Sequence, residues 1–395
     1  MSIVRRIFRR AALADALARD LGGDSFIDYS SGMFLAAPRR TGKSTFLNND
    51  LIPACQVQGW LPVYVDLWAD REVDPALLIC NAVASALNAF DSSARKTLKK
   101  AGIDKINLLR TLSWDFSKPQ LPAGTTLAQA LEVLHEVSGQ MVVLIIDEAQ
   151  HALNGESGVS AMFALKAARD QLNRGNRPDG LRLVFTGSSR DKLASLVLKS
   201  NQPFFGATIT PFPLLGADFV AFVTQLWNGR LAADNQFALE DVEYAFELVG
   251  RRPEMLGKLV ADVSVGQGEA RNLGELLRSG ALNHQAGVWS DYESACNELS
   301  PLQRAVLQVM AERVVARQPF SPFTEQTLDD VRRHLQLAGS DTEASTPNVQ
   351  KALQVLRAKD LVWKASRGEY ALEDSAMAQW LTRPAVTASS PPPGG

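Results

Sequence analysis

A chain of 395 residues is too long for one ordinary domain and has material for two or three. With 46% hydrophobic and 21% charged residues and no run near the roughly 18 uninterrupted apolar residues of a membrane span, it excludes the fibrous, wholly disordered and membrane-embedded classes, and no membrane partner is expected. Lys plus Arg (41) against Asp plus Glu (43) gives a formal net charge of -2, so no global positive field holds nucleic acid and such binding needs a local patch.

The chain opens with Arg5, Arg6, Arg9 and Arg10 among Ile3, Val4, Ile7 and Phe8, without the continuous apolar run and small-residue cleavage site of a secretory signal. This predicts a cytoplasmic protein whose first helix, over about 3–20, carries the arginines on its solvated face. After a turn at Gly22 and Gly23, short apolar runs at 33–37, 61–67, 141–146 and 181–186 have the length of buried parallel strands, with helical patterns between them. A further strand is expected over 106–116. From 213 the pattern becomes helical only, with helices over 217–227, 239–249 and 253–263. A polar stretch over 285–297 separates this region from helices over 301–314, 325–335 and 347–359, followed by strands over 361–364 and 369–372. Three helices and a β-hairpin spell a winged helix-turn-helix, with Thr346 as N-cap and Pro347 in the first turn of its third helix. The predicted division is an α/β domain over 1–212, a helical lid over 213–298, a winged helix over 299–382 and a disordered tail over 383–395. Cys55, Cys80 and Cys296 lie far apart, and the four histidines form no metal-binding spacing, so neither a disulfide framework nor a zinc site is indicated.

The sharpest motif is Ala37-Pro38-Arg39-Arg40-Thr41-Gly42-Lys43-Ser44, which follows a predicted strand and leads into a helix through Thr45. This is the Walker A spacing. Backbone N–H groups of such a loop point at phosphate oxygens, and Gly42 lets the backbone approach closely. Lys43 is predicted to neutralise the β- and γ-phosphates of ATP, and Ser44 to offer its hydroxyl to Mg²⁺. Ala37 stands where the common pattern has Gly, so the loop must enter without a positive φ there.

About a hundred residues on, an apolar strand runs into Asp147-Glu148. Carboxylates at the end of a doubly buried strand are costly unless they have work to do. Asp147 is predicted to hold the magnesium shell and Glu148 to act as general base toward water, as in a Walker B motif. The strand ending at Gly187 offers Thr186, Ser188 and Ser189 near the γ-phosphate, with Ser188 preferred. Arg190 can reach a phosphate or act as a plain helix-start residue, and both readings stay open. Gly250-Arg251-Arg252-Pro253 opens a helix from which Arg252, or second Arg251, would fold over a nucleotide; that both are ordinary surface charges stays open equally.

Together Pro38-Arg39-Arg40-Thr41-Gly42-Lys43-Ser44, Ile145-Ile146-Asp147-Glu148, Gly187-Ser188-Ser189 and Gly250-Arg251-Arg252-Pro253 resemble the archaeal-type ATPases, STAND-like members of the AAA+ P-loop superfamily related to origin-recognition and transposition-regulator ATPases. Asn348-Val349-Gln350-Lys351-Ala352-Leu353, Leu361-Val362, Gly368-Glu369-Tyr370 and Trp380-Leu381 extend the resemblance into the winged helix, so that it spans about 25–382. It implies an ATP-Mg²⁺ site at the edge of a parallel sheet, a helical lid, and a winged helix whose position follows the nucleotide. A protein partner or self-assembly is implied as well. One departure is Phe204-Phe205-Gly206-Ala207, which lacks the arginine expected after its glycine, so turnover is expected to be slow or to lean on Arg190.

DNA is the other candidate partner. Asn348, Gln350, Lys351 and Gln354 would face bases, and Lys364 and Arg367 phosphates, while Asp341 and Glu343 in the entering loop oppose them. Val349, Ala352, Leu353 and Leu356 recur at helical spacing as core. Three readings follow: an ATP-driven switch, a DNA-bound regulator or loader using ATP for assembly, and a low-turnover nucleotide-binding scaffold of a defence or stress system.

Overall fold

The computed structural model describes residues 7–24, 26–70, 72–90, 126–174, 180–266, 272–366 and 368–383; Arg5, Arg6, the strand expected over 106–116, Arg367 and the tail beyond 383 lie outside them. The chain divides into two compact units, Met1–Leu215 and Gly216–Gly395.

The first unit is organised by β3 (Val142–Asp147), whose residues are all buried. Alternate side chains of a strand point to opposite faces, and both faces here are covered. Val142, Leu144 and Ile146 enter one apolar cluster with Ile79, Val83, Leu131, Leu134 and Leu165, while Val143 and Ile145 enter another with Leu17, Leu35, Phe46 and Leu47. The helices supplying these layers are α1 (Ala11–Leu21), α2 (Lys43–Phe46, continuing through a π-helical turn Leu47–Leu51 into Ile52–Val57), α3 (Pro75–Asn88), α4 (Leu127–Ser138) and α5 (Glu156–Leu172). The sheet is parallel throughout, with β1 (Met33–Ala36), β2 (Leu61–Asp66), β4 (Leu181–Gly187) and β5 (Ile209–Pro211) in the order β2-β3-β4-β1-β5. The sequence reading lacks β5. It has three residues, none fully buried, and ends in a proline of the kind sheets tolerate at an edge, so it leaves no apolar run.

The N-terminal arginines differ from expectation. Helix α1 starts only at Ala11, and Arg9 and Arg10 precede it instead of lining its solvated face. Asp50, buried within the π-helical turn, accepts from Arg9 Nε at 2.7 Å and from the Arg10 backbone N–H at 3.0 Å. The Arg10 guanidinium lies 4.9 Å from the Phe212 ring centre and 5.8 Å from that of Phe46. A buried carboxylate on the phosphate-loop helix therefore recruits them, which no local pattern announces.

In the second unit, α7 (Ala217–Asn228), α8 (Leu239–Leu248), α9 (Pro253–Gly266) and α10 (Leu273–Asn297) precede the element order of a winged helix: α11 (Pro301–Val315), α12 (Glu325–Leu337), α13 (Thr346–Ala358), the antiparallel strands β6 (Val362–Ser366) and β7 (Glu369–Leu372), and a closing α14 (Ala376–Thr382). Two corrections apply. The polar stretch over 285–297 is the second half of α10, a 25-residue helix with few buried positions. The N-cap of α13 is Ser345 and not Thr346, which has already turned helical. The core beneath α13 consists of Val349, Ala352, Leu353 and Leu356 with Val306, Met310, Val331 and Leu372.

Phe34 and Phe185 stack with ring centres 4.5 Å apart, and Phe204 meets Phe185 at 4.7 Å, all fully buried between β1, β4 and the loop after α6 (Arg190–Leu198). Phe185→Ala is expected to destabilise the first unit by about 3–5 kcal/mol, read as an earlier denaturant midpoint of that unit's transition.

Candidate phosphate-binding site

β1 delivers the chain into the loop over 37–42, and helix α2 begins at Lys43 directly after Gly42. The left-handed positions are Arg40 (φ 65°) and Gly42 (φ 89°); Ala37 is not among them, which is why alanine is accommodated at the loop entry. Ala37 is buried and its N–H donates to the Gly187 carbonyl of β4 at 3.3 Å. Thr41 Oγ1 donates to the Pro38 carbonyl at 2.8 Å and braces the loop from inside. Arg40 carries the conformational penalty, on the order of 1 kcal/mol for a non-glycine residue.

Lys43 is 5% exposed, and its ammonium donates to the carbonyls of Ala37 at 2.8 Å and Pro38 at 3.1 Å. Burial lowers its pKa from the ordinary lysine value, with Arg39 adding to that, while Glu148 and Asp147 act the other way. Ser44 Oγ donates to Asp147 Oδ2 at 2.5 Å, so two motifs 103 residues apart meet at one point.

Asp147 is fully buried and receives four donors. Besides Ser44, Tyr64 Oη from β2 reaches Oδ2 at 3.1 Å, while Thr186 Oγ1 from β4 and the Glu148 N–H (3.0 Å) serve Oδ1. These bonds replace the water that burial removes. Burial, then the Asp147 charge, pushes the Tyr64 hydroxyl far above the usual phenol range, so it stays a donor.

Glu148 follows in the left-handed region (φ 53°), which swings its side chain away from that of Asp147 toward β4. Its Oε2 accepts from Ser188 Oγ at 2.6 Å, from Ser188 N–H at 3.3 Å and from Gln150 Nε2 at 2.5 Å. Gln150 is 2% exposed and also donates to Ser188 Oγ at 3.2 Å. Thus the polar candidates after β4 part company: Thr186 faces Asp147, Ser188 faces Glu148, and Ser189 caps α6 by position without a side-chain bond. Arg190 is the half-buried first residue of that helix. Thr45 and Arg40 are exposed.

Sequence reasoning missed Gln150 and Tyr64. Gln150 lies only two residues beyond Glu148, a spacing that a 3-10 turn over Ala149–Asn154 brings back toward the carboxylate. Tyr64 is a polar-tipped residue in an apolar strand, and only the pairing of β2 with β3 reveals its target.

The remaining candidates lie in the second unit. Arg252 Nη2 donates to Asp374 Oδ2 at 3.2 Å, the same oxygen that receives Tyr292 Oη at 2.7 Å. Arg251 (φ 53°) is held by Glu247, with Nε to Oε1 at 2.9 Å. On α13, Gln350, Lys351 and Gln354 are exposed. Asn348 is half-buried; its amide donates to the Glu343 carbonyl at 3.0 Å and ties down the incoming loop. Lys364 is half-buried on β6.

A Cβ placed at Gly187 would come within 2.7 Å of Gln150 Oε1 and 3.3 Å of Leu193. Gly187→Ala is therefore expected to cost about 1–3 kcal/mol of stability, and the loss should shrink in a Gln150→Ala background, as thermal unfolding of the four combinations would measure.

No protein-family model and no curated protein sequence matches the chain. Among solved structures it is similar to a Walker-type ATPase of Pyrococcus abyssi, at 18% identity and TM-score 0.51 over 96% of this chain and 98% of the other. It is likewise similar to the ORC2 protein of Aeropyrum pernix, at 14% identity and TM-score 0.52 for the ADPNP-ADP complexes (96% and 93% covered), and at 13% and 0.54 for the ADP form (96% and 94%). At such identities the likeness speaks for the fold: the chain has the fold of the archaeal-type AAA+ P-loop ATPases.

Proposed function

We propose that the chain binds ATP with Mg²⁺, hydrolyses it, and uses the nucleotide state as a switch that acts through its winged helix on a protein partner or on DNA. The observation that carries this reading is the meeting of Ser44 and Asp147 at 2.5 Å beside the loop that encloses Lys43. The residues present fit the ligand. Lys43 is a buried cation whose partners are neutral carbonyls of a loop that ends at a helix N-terminus, an arrangement suited to polyphosphate. Ser44 and Asp147 offer hard oxygen donors of the kind magnesium takes. Bound there, magnesium would neutralise charge on the β- and γ-phosphate oxygens.

The chain's own groups divide the remaining work. Backbone N–H groups over 39–44 and the Lys43 ammonium hold the phosphates, and the donors from Tyr64 and Thr186 keep Asp147 aimed at the metal. Glu148 takes the proton of the attacking water. Ser188 and Gln150 fix which way its carboxylate faces. The similar ORC2 structures hold ADPNP and ADP, which supports nucleotide as the ligand class here.

Phosphate release should fall at least about 100-fold in Glu148→Gln, with nucleotide still bound, and Lys43→Ala should lose nucleotide affinity at least about tenfold. Wild-type rates in both variants would defeat the assignment. For the output end, exposed Gln350, Lys351 and Gln354 on α13 favour DNA as a second reading. Lys351→Ala should then weaken duplex binding and reduce its salt slope by about 1, whereas no binding at low salt removes this reading.

A further inference from the structure

Arg39 stands in the middle of the phosphate loop with its side chain exposed, yet it is held from two sides. Its Nε donates to Ser188 Oγ at 3.3 Å, the hydroxyl that itself donates to Glu148 Oε2 at 2.6 Å. Its guanidinium lies 5.1 Å from the ring centre of Trp68, just past the end of β2, and Trp68 in turn packs against His151 with ring centres 4.1 Å apart. His151 belongs to the 3-10 turn that follows Glu148. Three strand ends thus converge on this one cation: Trp68 after β2, the turn after β3 and Ser188 after β4.

The placement has an electrostatic cost. Arg39 and Lys43 are both cations on the same short loop, Lys43 buried and Arg39 exposed. Two like charges brought together beside the candidate base Glu148 are relieved when a polyanion lies among them. The other arginines considered are differently engaged: Arg252 is bound to Asp374 in the second unit, and Arg190 begins α6. Arg39 reaches Ser188 by the hydrogen bond from its Nε.

Resting on the ATP reading above, we infer that Arg39 is a catalytic residue that supplies, from within the same chain, the positive charge on the γ-phosphate during hydrolysis. The oxygen of water forms the new bond to the γ-phosphorus while the bond to the β,γ-bridging oxygen breaks, and ADP and phosphate are the products. The proton of water goes to Glu148. Arg39 keeps its own protons and contributes charge and a planar fork of N–H donors to the equatorial oxygens. Trp68 acts as a positioning residue that keeps the guanidinium over the site instead of in solvent.

The test combines single-turnover phosphate release with equilibrium affinities for ATP and ADP in the full chain. In Arg39→Ala, hydrolysis should fall at least about 100-fold, a conservative fraction of what a catalytic arginine supplies. The preference for ATP over ADP should drop about tenfold while ADP affinity stays within about threefold, which also shows that the loop is still folded. Trp68→Ala should slow hydrolysis about tenfold with ADP affinity again retained. Mixing Arg39→Ala chains with Lys43→Ala chains should give no recovery; restored turnover would mean that the arginine is donated between chains and would overturn the assignment. It is likewise overturned if Arg39→Ala keeps both the wild-type rate and the wild-type ATP preference while turnover remains dependent on Lys43. Turnover indifferent to Lys43 would instead strike the ATP reading itself.

Discussion

The buried carboxylate of Asp147 is the constraint around which the first unit is arranged. It terminates a strand whose other five residues are all aliphatic, it is fully buried, and its hydrogen-bond partners include no side-chain cation. Its oxygens are met by four donors that come from β2, β4, the helix after the loop over 37–42, and the backbone N–H of the next residue. Each of those elements must therefore be in register for the acid to be tolerated. The strand order β2-β3-β4-β1-β5 puts β2 and β4 on either side of β3, which places Tyr64 and Thr186 within reach.

The same arrangement separates the two acids of the motif. A left-handed turn at Glu148 sends its side chain to the β4 side, where Ser188 and Gln150 hold it, while Asp147 stays with Ser44. Two neighbouring carboxylates thereby acquire different surroundings, Asp147 among three hydroxyls and Glu148 beside a hydroxyl and an amide. Division of labour between adjacent acids depends on this kind of difference in environment. Arg39 joins the second group through Ser188, which links the phosphate loop to Glu148 by two hydrogen bonds in series.

In the second unit the corresponding polar centre is Asp374, which gathers Arg252 and Tyr292 and caps the closing helix through the Ala376 N–H at 3.0 Å. It binds the turn before α9, the long α10 and the segment after the hairpin into one unit. Burial, followed by the charge of Asp374, pushes the Tyr292 hydroxyl far above the usual phenol range, so it too remains a donor.

The sequence by itself determined the loop between β1 and α2, the acidic strand end, four of the five sheet strands and the helix–hairpin order over 301–382. Those features are written in local periodicity and in contiguous motifs whose residue types have few other uses. What it left unread depends on contacts between distant segments. Helix α10 runs through the polar stretch over 285–297, where no helix is marked out in the sequence, because much of its surface is exposed and periodicity fades. Arg9 and Arg10 read as part of the first helix because the Asp50 that holds them lies some forty residues away. Only the tertiary structure decided which polar residue serves which acid, since Thr186, Ser188, Tyr64 and Gln150 are equally plausible hydroxyls and amides until the strands are paired. The physical reason is that a hydrogen bond is made in space over about 3 Å, and sheet register, a property of the whole chain, brings the partners that close.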